Sequence, residues 1–531
     1  MLDFVIRGAT LIDGSGGPAR TADVGIKGGR IAAVGALNGC SAEETIAAAG
    51  LCLCPGFLDV HRHADLAPLN MPGSGLELAQ GITTVLSGNC GFSPFPYGGS
   101  HALEQKDFLE PLLGPLPKGI LWPDLNSYVD TVKAHLPVNM GTLVGNGSVR
   151  VFTAGMRGGA LSSTELETMQ KQIALALDQG AFGLSLGLMY VPENNCSTAE
   201  LASLCAIAGK AGAPAAVHLR GEGAALISSV NEMIAVAKET GIHLHLSHFK
   251  AAGRANWGHS WRTALENVRK AVDAGVRITW DAYPYHAGST SLITLLPPWV
   301  QEGGKGPLLA RLAQPDVARR VEEELAAEQH GWDNLVCSTG WDSVMISSST
   351  NQRLVGLTVK AIAEQWGISP ASAALRIVRQ DSGGTSIVFF HMSPQDVKEI
   401  ISQPETILIS DALYLPGEIP HPRAYGAQAR LIGTCARDGG WMSMEQAVSK
   451  CTWLPARCFG IRGRGLVREG FWADLLLFDG NKIKDRASYS SPCQLPDGIE
   501  AVWVNGRKAF ENGTVLCGNA GRFLRRSRKE S

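Results

Sequence analysis

Nine short apolar segments, separated by helix-like runs through the middle of the chain, constrain this sequence more than any other feature. They are "GFLDVHRH", "GITTVLSGN", "MGTLVGNG", "GAFGLSLGL", "PAAVHLR", "IHLHLSHF", "RITWDAYPY", "TSIVFFHM" and "TILISDA". The intervening runs include "STELETMQKQIALALDQG" and "LISSVNEMIAVAKETG". Strands joined through helices of this length pair in parallel, because the helix is the crossover that returns the chain to the same end of the sheet. Eight such units close a (β/α)8 barrel. Nine candidates are one too many, so one of the last three is predicted to lie outside it.

The two ends read differently. Residues 1–55 hold "DFVIRGATLID", "ADVGIKGGRIAAVG" and "LCLCPG", short strands punctuated by Gly and Asp as hairpins require. The far end repeats that texture in "ADLLLFDG" and "GIEAVWVNGRKAFENGTVL". The simplest arrangement is one accessory β-domain built from both termini, with a larger domain inserted between them. The predicted boundaries are 1–56 and 456–531 for the β-domain and 57–455 for the barrel. Residues 287–345 break the rhythm with "LLPPWVQEGGKG" and the charged run "ARRVEEELAAEQH", which reads either as a lid on the active-site face or as a surface excursion.

Composition narrows the function classes. A chain of 531 residues suits a large barrel with an accessory domain. Its 45% hydrophobic and 18% charged content argues against disorder. A net charge of −2 offers no basic face to nucleic acid or anionic membrane, and the basic end "GRFLRRSRKES" reads as a solvated tail. The N-terminus lacks a basic stretch followed by a long apolar one, so a signal peptide is not expected. No apolar run reaches the roughly 18–20 residues of a membrane span. Twelve scattered cysteines lack the spacing of a disulfide framework and point to free thiols in a reducing cytoplasm.

Side chains two apart on a strand share a face, and a barrel gathers its active site at the C-terminal strand ends. By that rule Asp59, His61 and His63 share a face, as do Thr84, Leu86, Gly88 and Cys90. His218 aligns with Arg220, Leu244 and Leu246 with His248 and Lys250, and Ile407 and Ile409 with Asp411. Four histidines, one cysteine and one aspartate from five strands can therefore converge on one mouth. Imidazole, thiolate and carboxylate are the usual ligands of zinc. Each residue alone has a plainer reading: an isolated His-x-His is mostly incidental, a strand-end cysteine a small hydrophobe, Asp411 a helix N-cap. Their joint occurrence at strand ends is what favours a metal. His243 and His245 fall on the opposite face and read as structural, as does Asp65 beyond the first strand.

The ordered set "PGFLDVHRHADL", "QGITTVLSGNCGFSP", "VHLRGEG", "LSHFKAAGRANWG", "DAYPYHAGST", "ISDA" and "HPRAYGAQARLIG" resembles the amidohydrolase superfamily, and within it the N-acyl-D-amino-acid deacylases (D-aminoacylases). The resemblance runs nearly end to end. It implies an α/β fold, a distorted (β/α)8 TIM-like barrel with a small β-sandwich formed by both termini. It implies zinc-dependent hydrolysis of the amide bond of N-acyl-D-amino acids, a small-molecule substrate. Cys90, His218 and His248 would hold a tightly bound zinc, and His61 and His63, sharing Cys90, a second and weaker one. Asp411 would be the general base and acid. Lys250, Tyr283 and Arg423 match positions that grip the substrate carboxylate.

The sequence departs from that pattern in places. Asn146 in "LVGNGS" stands where many relatives carry histidine, and Leu186 in "LSLGL" where they carry threonine. "TSLITLLPPWV" contains no arginine, where glutamate-specific relatives place one, so a neutral or apolar substrate is expected. A cyclic-amide hydrolase of the hydantoinase or dihydroorotase kind is the first alternative. The bridging carboxylated lysine common in those enzymes has no counterpart in "GAFGLSLGLMY". A non-catalytic binding protein on the same barrel is the second alternative. Side chain, acyl group, metal count and oligomeric state are left open by the sequence.

Overall fold

The computed structural model describes residues 1–328, 331–415 and 419–527. Eight of the nine predicted segments lie in parallel ladders. Phe57–Asp59 pairs with Ile82–Ser87, which pairs with Asn139–Thr142. Val144–Gly145, Leu184–Gly187, Ala215–His218, Leu244–Leu246, Ile278–Ala282 and Ile407–Leu408 follow in order in a second parallel sheet. Only Leu143 separates the two sheets along the third segment, and its N–H donates to the Ser87 carbonyl at 2.9 Å. Beyond the regular strands, the Asp411 N–H donates to the His61 carbonyl (2.9 Å) and the His63 N–H to the Ala412 carbonyl (3.0 Å). The last segment is thereby tied to the first. Strands such as Ile82–Ser87 are buried along their whole length, as strands covered on both faces must be.

The helices follow from local signals. Ser163–Asp178 starts at a capping box in which Ser162 and Glu165 satisfy each other's backbone N–H groups. Its buried face is Met169, Ile173, Ala176 and Leu177, the spacing of one helical stripe. Leu226–Thr240 ends at Gly241, whose φ of 67° is the left-handed cap that glycine adopts without strain.

"TSIVFFHM" is the segment outside the parallel ladders. Ser386–Phe389 pairs antiparallel with Gly288–Ser291 on one side and Val344–Ser348 on the other. This three-stranded sheet has its own core, including Leu292, Leu296, Val300, Ile346, Ile362 and Ile377. The stretch 287–345 supplies Gly288–Ser291 and begins Val344–Ser348, and the third strand arrives from farther along the chain.

Both ends of the chain enter one nine-stranded sheet. Cys52–Pro55, from the N-terminal part, pairs antiparallel with Leu475–Phe478 from the C-terminal part. Alternation divides the sheet between two cores. Leu476, Phe478, Val502 and Val504 join the core of the parallel strands. Leu475, Leu477, Ala501 and Trp503 pack instead with Phe4, Ile6, Val24 and Leu53. Among the described residues no helix is long and apolar enough to cross a membrane.

Candidate metal centre and active site

The site lies just past the ends of the parallel strands, and three of its residues take backbone conformations that side chains rarely adopt. Cys90, His248 and Asp411 have φ of 54°, 36° and 52°. Each costs about 1–3 kcal/mol unless its surroundings hold it there, and such residues cluster at functional sites. The loop carrying Cys90 shows how it is held. A Cβ at Gly88 would stand 2.3 Å from the Leu143 carbonyl oxygen, so "GNCG" must begin on glycine. The Gly88 N–H donates to Asp65 Oδ1 at 2.9 Å, and the Tyr128 hydroxyl donates to the Asp65 carbonyl, which gives Asp65 the structural part read for it.

Two trios of side chains could each hold a metal ion: His61, His63 and Cys90, and Cys90, His218 and His248. Their ligand atoms lie within 4.8 Å of one another, and all five residues are buried. Cys90 Sγ is the shared atom, 3.3 Å from His61 Nε2 and 3.6 Å from His248 Nε2. His248 Nε2 is 3.0 Å from His218 Nδ1. Burial pulls His63, His218 and His248 below the usual imidazole range, which leaves neutral rings with lone pairs to offer. Burial pushes the Cys90 thiol well up, and a cation among these atoms would reverse that by stabilising the thiolate. The set fits a borderline-soft divalent ion.

Between the histidines of "HRH", Arg62 turns away from the trios. It reaches Asp59 (3.3 Å), Ser410 (3.0 Å) and the Ala424 carbonyl (3.1 Å), pinning the first segment to the last. Asp411 stands beside the trios, with Oδ1 3.5 Å from His61 Nε2 and 3.4 Å from His63 Nε2. Arg423, the first residue of the helix Arg423–Ala429, places Nη1 2.8 Å from Asp411 Oδ2. Burial alone would raise the Asp411 carboxyl; Arg423 and then His63 hold it well below the usual range. The same guanidinium lies 4.6 Å above the Tyr283 ring. Lys250 Nζ is 2.5 Å from Glu222 Oε1 and 2.7 Å from His248 Nδ1. All nine side chains predicted for the site therefore meet at one end of the strands.

Alternation does not account for all of it. His245, placed by sequence on the face away from the site, points to Asp281, with Nε2 2.8 Å from Oδ2. Asp281 also accepts from the His248 N–H and lies 3.4 Å from His61 Nδ1. The two histidines reach it differently, His245 through its ring and His248 through its backbone N–H. Burial raises the Asp281 carboxyl, but His61 and His245 hold it below the ordinary range. Burial pulls His245 down, yet Cys458 and Asp281 push it up to about 10. Asp281 and Glu222 are supports that the sequence reading missed. Glu222 Oε1 is 3.0 Å from His248 Nδ1 and 3.9 Å from His218 Nε2. Its position four residues after His218, and that of Asp281 in "DAYPY", were the available signals.

The trios open on a cavity of about 680 Å³. His63, Cys90, His218, His248 and Asp411 line it from the strand ends, and Leu295, Leu296, Trp332, Phe389 and His391 line it from the unit inserted at 287–391. Among the described lining residues, neither Asn146 nor Leu186 occurs. Asn146 instead donates to Glu193 at 2.8 Å, behind the Cys90 loop. Both nitrogens of His391 are buried without a hydrogen-bond partner, at about 1–3 kcal/mol for each such group.

Parallel strands that carry imidazole, thiol and carboxylate groups past their ends, above a walled cavity, are the plan of an α/β metallohydrolase. The chain belongs to the amidohydrolase family, which it matches over residues 44–510. It is 36% identical to the N-acyl-D-glutamate deacylase of Alcaligenes xylosoxydans xylosoxydans, over 99% of this chain and 97% of that one. The crystal structure of N-acyl-D-glutamate deacylase from Bordetella bronchiseptica, complexed with zinc and a phosphonate mimic of the tetrahedral intermediate, shares 33% identity and a TM-score of 0.82, covering 99% of both chains. A D-aminoacylase structure described by its binuclear metal centre shares 31% identity and a TM-score of 0.83, over 99% of this chain and 100% of that one.

Proposed function

We propose that this protein hydrolyses the amide bond of N-acyl-D-amino acids in a zinc-dependent reaction, releasing a carboxylate and a free D-amino acid. The observation that carries the reading is Asp411, whose Oδ2 is held by Arg423 while Oδ1 faces the His61–His63–Cys90 trio at the strand-end side of the cavity. Full-length similarity to deacylases of this class supports it. The ring of hydrogen bonds from His61 and His63 through eight segments back to Asp411 and Ala412 supports a closed, distorted barrel over 57–455. The two-cored terminal sheet supports a β-sandwich made of 1–56 and 456–531.

Cys90, His218 and His248 would hold one zinc tightly, and His61 and His63, with Cys90 shared, a second. When bound, the ion supplies Lewis acidity that makes water a nucleophile at neutral pH. Asp411 Oδ1, the oxygen left free by Arg423, accepts the proton of the attacking water and returns it to the amide nitrogen as the C–N bond breaks. Lys250, Tyr283 and Arg423 hold the substrate carboxylate. Lysine has three donors and arginine five, so the bonds to Glu222 and Asp411 leave others to spare. Fixing the carboxylate presents one face of the amide to the water, the basis for selecting the D-form. Twelve free cysteines support a reducing, cytoplasmic setting.

The test is a panel of N-acetyl and N-formyl D- and L-amino acids with defined zinc, run beside hydantoins and dihydropyrimidines. Turnover of the linear D-substrates is expected. Preference for the cyclic amides would overturn the reading, and turnover of none with no bound zinc would point to a binding protein.

A further inference from the structure

His391 follows the strand Ser386–Phe389 and faces the cavity from the inserted unit. The residue is only 6% exposed, and neither ring nitrogen has a hydrogen-bond partner. The ring is fixed by packing. Its centroid is 4.8 Å from that of Phe389, and a Cβ on Gly288 would stand 2.9 Å from its Cε1. Burial, and next Lys250, push His391 down to about 3, so it presents a neutral imidazole with one N–H and one lone pair. Unpaired polar atoms aimed into a cavity are matched when a ligand brings the complementary groups.

The cations around the cavity point the same way. Among the described lining residues they are Arg220, Lys250 and Arg423. Lys250 is paired with Glu222 and Arg423 with Asp411, and both are needed for the substrate's own carboxylate. Arg220 makes four bonds: Nε and Nη2 donate to Glu232 at 3.0 Å, Nη1 to the Asn194 carbonyl at 2.7 Å, and Nη2 also to the Cys196 carbonyl at 2.9 Å. A second carboxylate, on the side chain of the substrate, would find each of these cations already facing a carboxylate of the protein.

We infer that the side-chain subsite takes an uncharged, hydrogen-bonding group such as a carboxamide, and that His391 is the residue that reads it. This rests on the N-acyl-D-amino-acid reading above. The substrates are then N-acyl-D-glutamine or N-acyl-D-asparagine rather than the acidic or aliphatic analogues. His391 acts on selectivity.

The experiment compares kcat/KM of the zinc-loaded enzyme for N-acetyl derivatives of D-glutamine, D-asparagine, D-glutamate, D-aspartate, D-leucine and D-methionine. The carboxamides are expected to lead both other groups by about tenfold or more, as a site built for a hydrogen bond rejects the analogue that lacks it. His391→Leu is expected to lower kcat/KM for D-glutamine, through KM, by about tenfold more than for D-leucine, and His391→Gln to restore part of the preference. An acidic or aliphatic substrate leading in the wild type overturns the inference, as does a His391→Leu loss equal on every substrate. Failure to hydrolyse any N-acyl-D-amino acid would overturn the parent reading instead.

Discussion

The two walls of the cavity are built by opposite rules. On the strand-end wall the charged groups are paired: Asp411 with Arg423, Lys250 and the His248 ring with Glu222, and the His61 ring with Asp281. Three residues there sit in left-handed backbone that only such mutual support sustains. On the inserted wall Leu295, Leu296, Trp332 and Phe389 stand beside Thr290, Thr294 and Gln301, and the buried imidazole of His391 has no partner. A wall whose polar groups hold one another is pre-organised for chemistry. A wall with unspent polarity is arranged for what the ligand brings.

Substitutions on the strand-end wall are expected to change metal content and turnover, and substitutions on the other to change substrate affinity. Cys90→Ala should have the largest effect, because both trios share its sulfur. Bound zinc, measured by elemental analysis, should fall, and turnover should drop about a thousandfold or more, equivalent to about 4 kcal/mol. Unchanged metal content would show that the trios are not the ligands. Asp411→Asn comes next. Zinc should be nearly unchanged while kcat falls at least about a hundredfold; full activity would remove Asp411 from the proton transfers.

The third test concerns support rather than contact. Asp281→Asn keeps the shape but weakens the hold on His61 and His248. Competition with a chelator should show metal retention weakened about 10–100-fold. Equal retention would reduce Asp281 to strand packing. The smallest effect is expected from Trp332→Ala on the inserted wall, where KM should rise about three- to tenfold with kcat within about twofold. A loss confined to kcat in that variant would erase the division between the walls.

Much of this was legible from residue pattern. The alternation of apolar segments with helical runs marked out the eight parallel segments, and the ends of the chain announced a shared sheet by their texture. His61, His63, Cys90, His218, His248 and Asp411 were legible as a group, because metal-capable residues recurred at separate strand ends. "TSIVFFHM" was not separable from a barrel strand, since its local pattern is the same and only its long-range partners, Gly288–Ser291 and Val344–Ser348, set it apart.

The sequence by itself determined which chemical groups were available and roughly where along the strands they fall, because hydrophobic period and residue type are local properties. Tertiary structure decided their aim. The positive φ at Cys90, His248 and Asp411 persists only because loops and side chains from distant segments brace it. It also decided which charges are spent. Glu222 and Asp281 became supports, and His391 was left with open valences, through contacts between residues far apart in the chain.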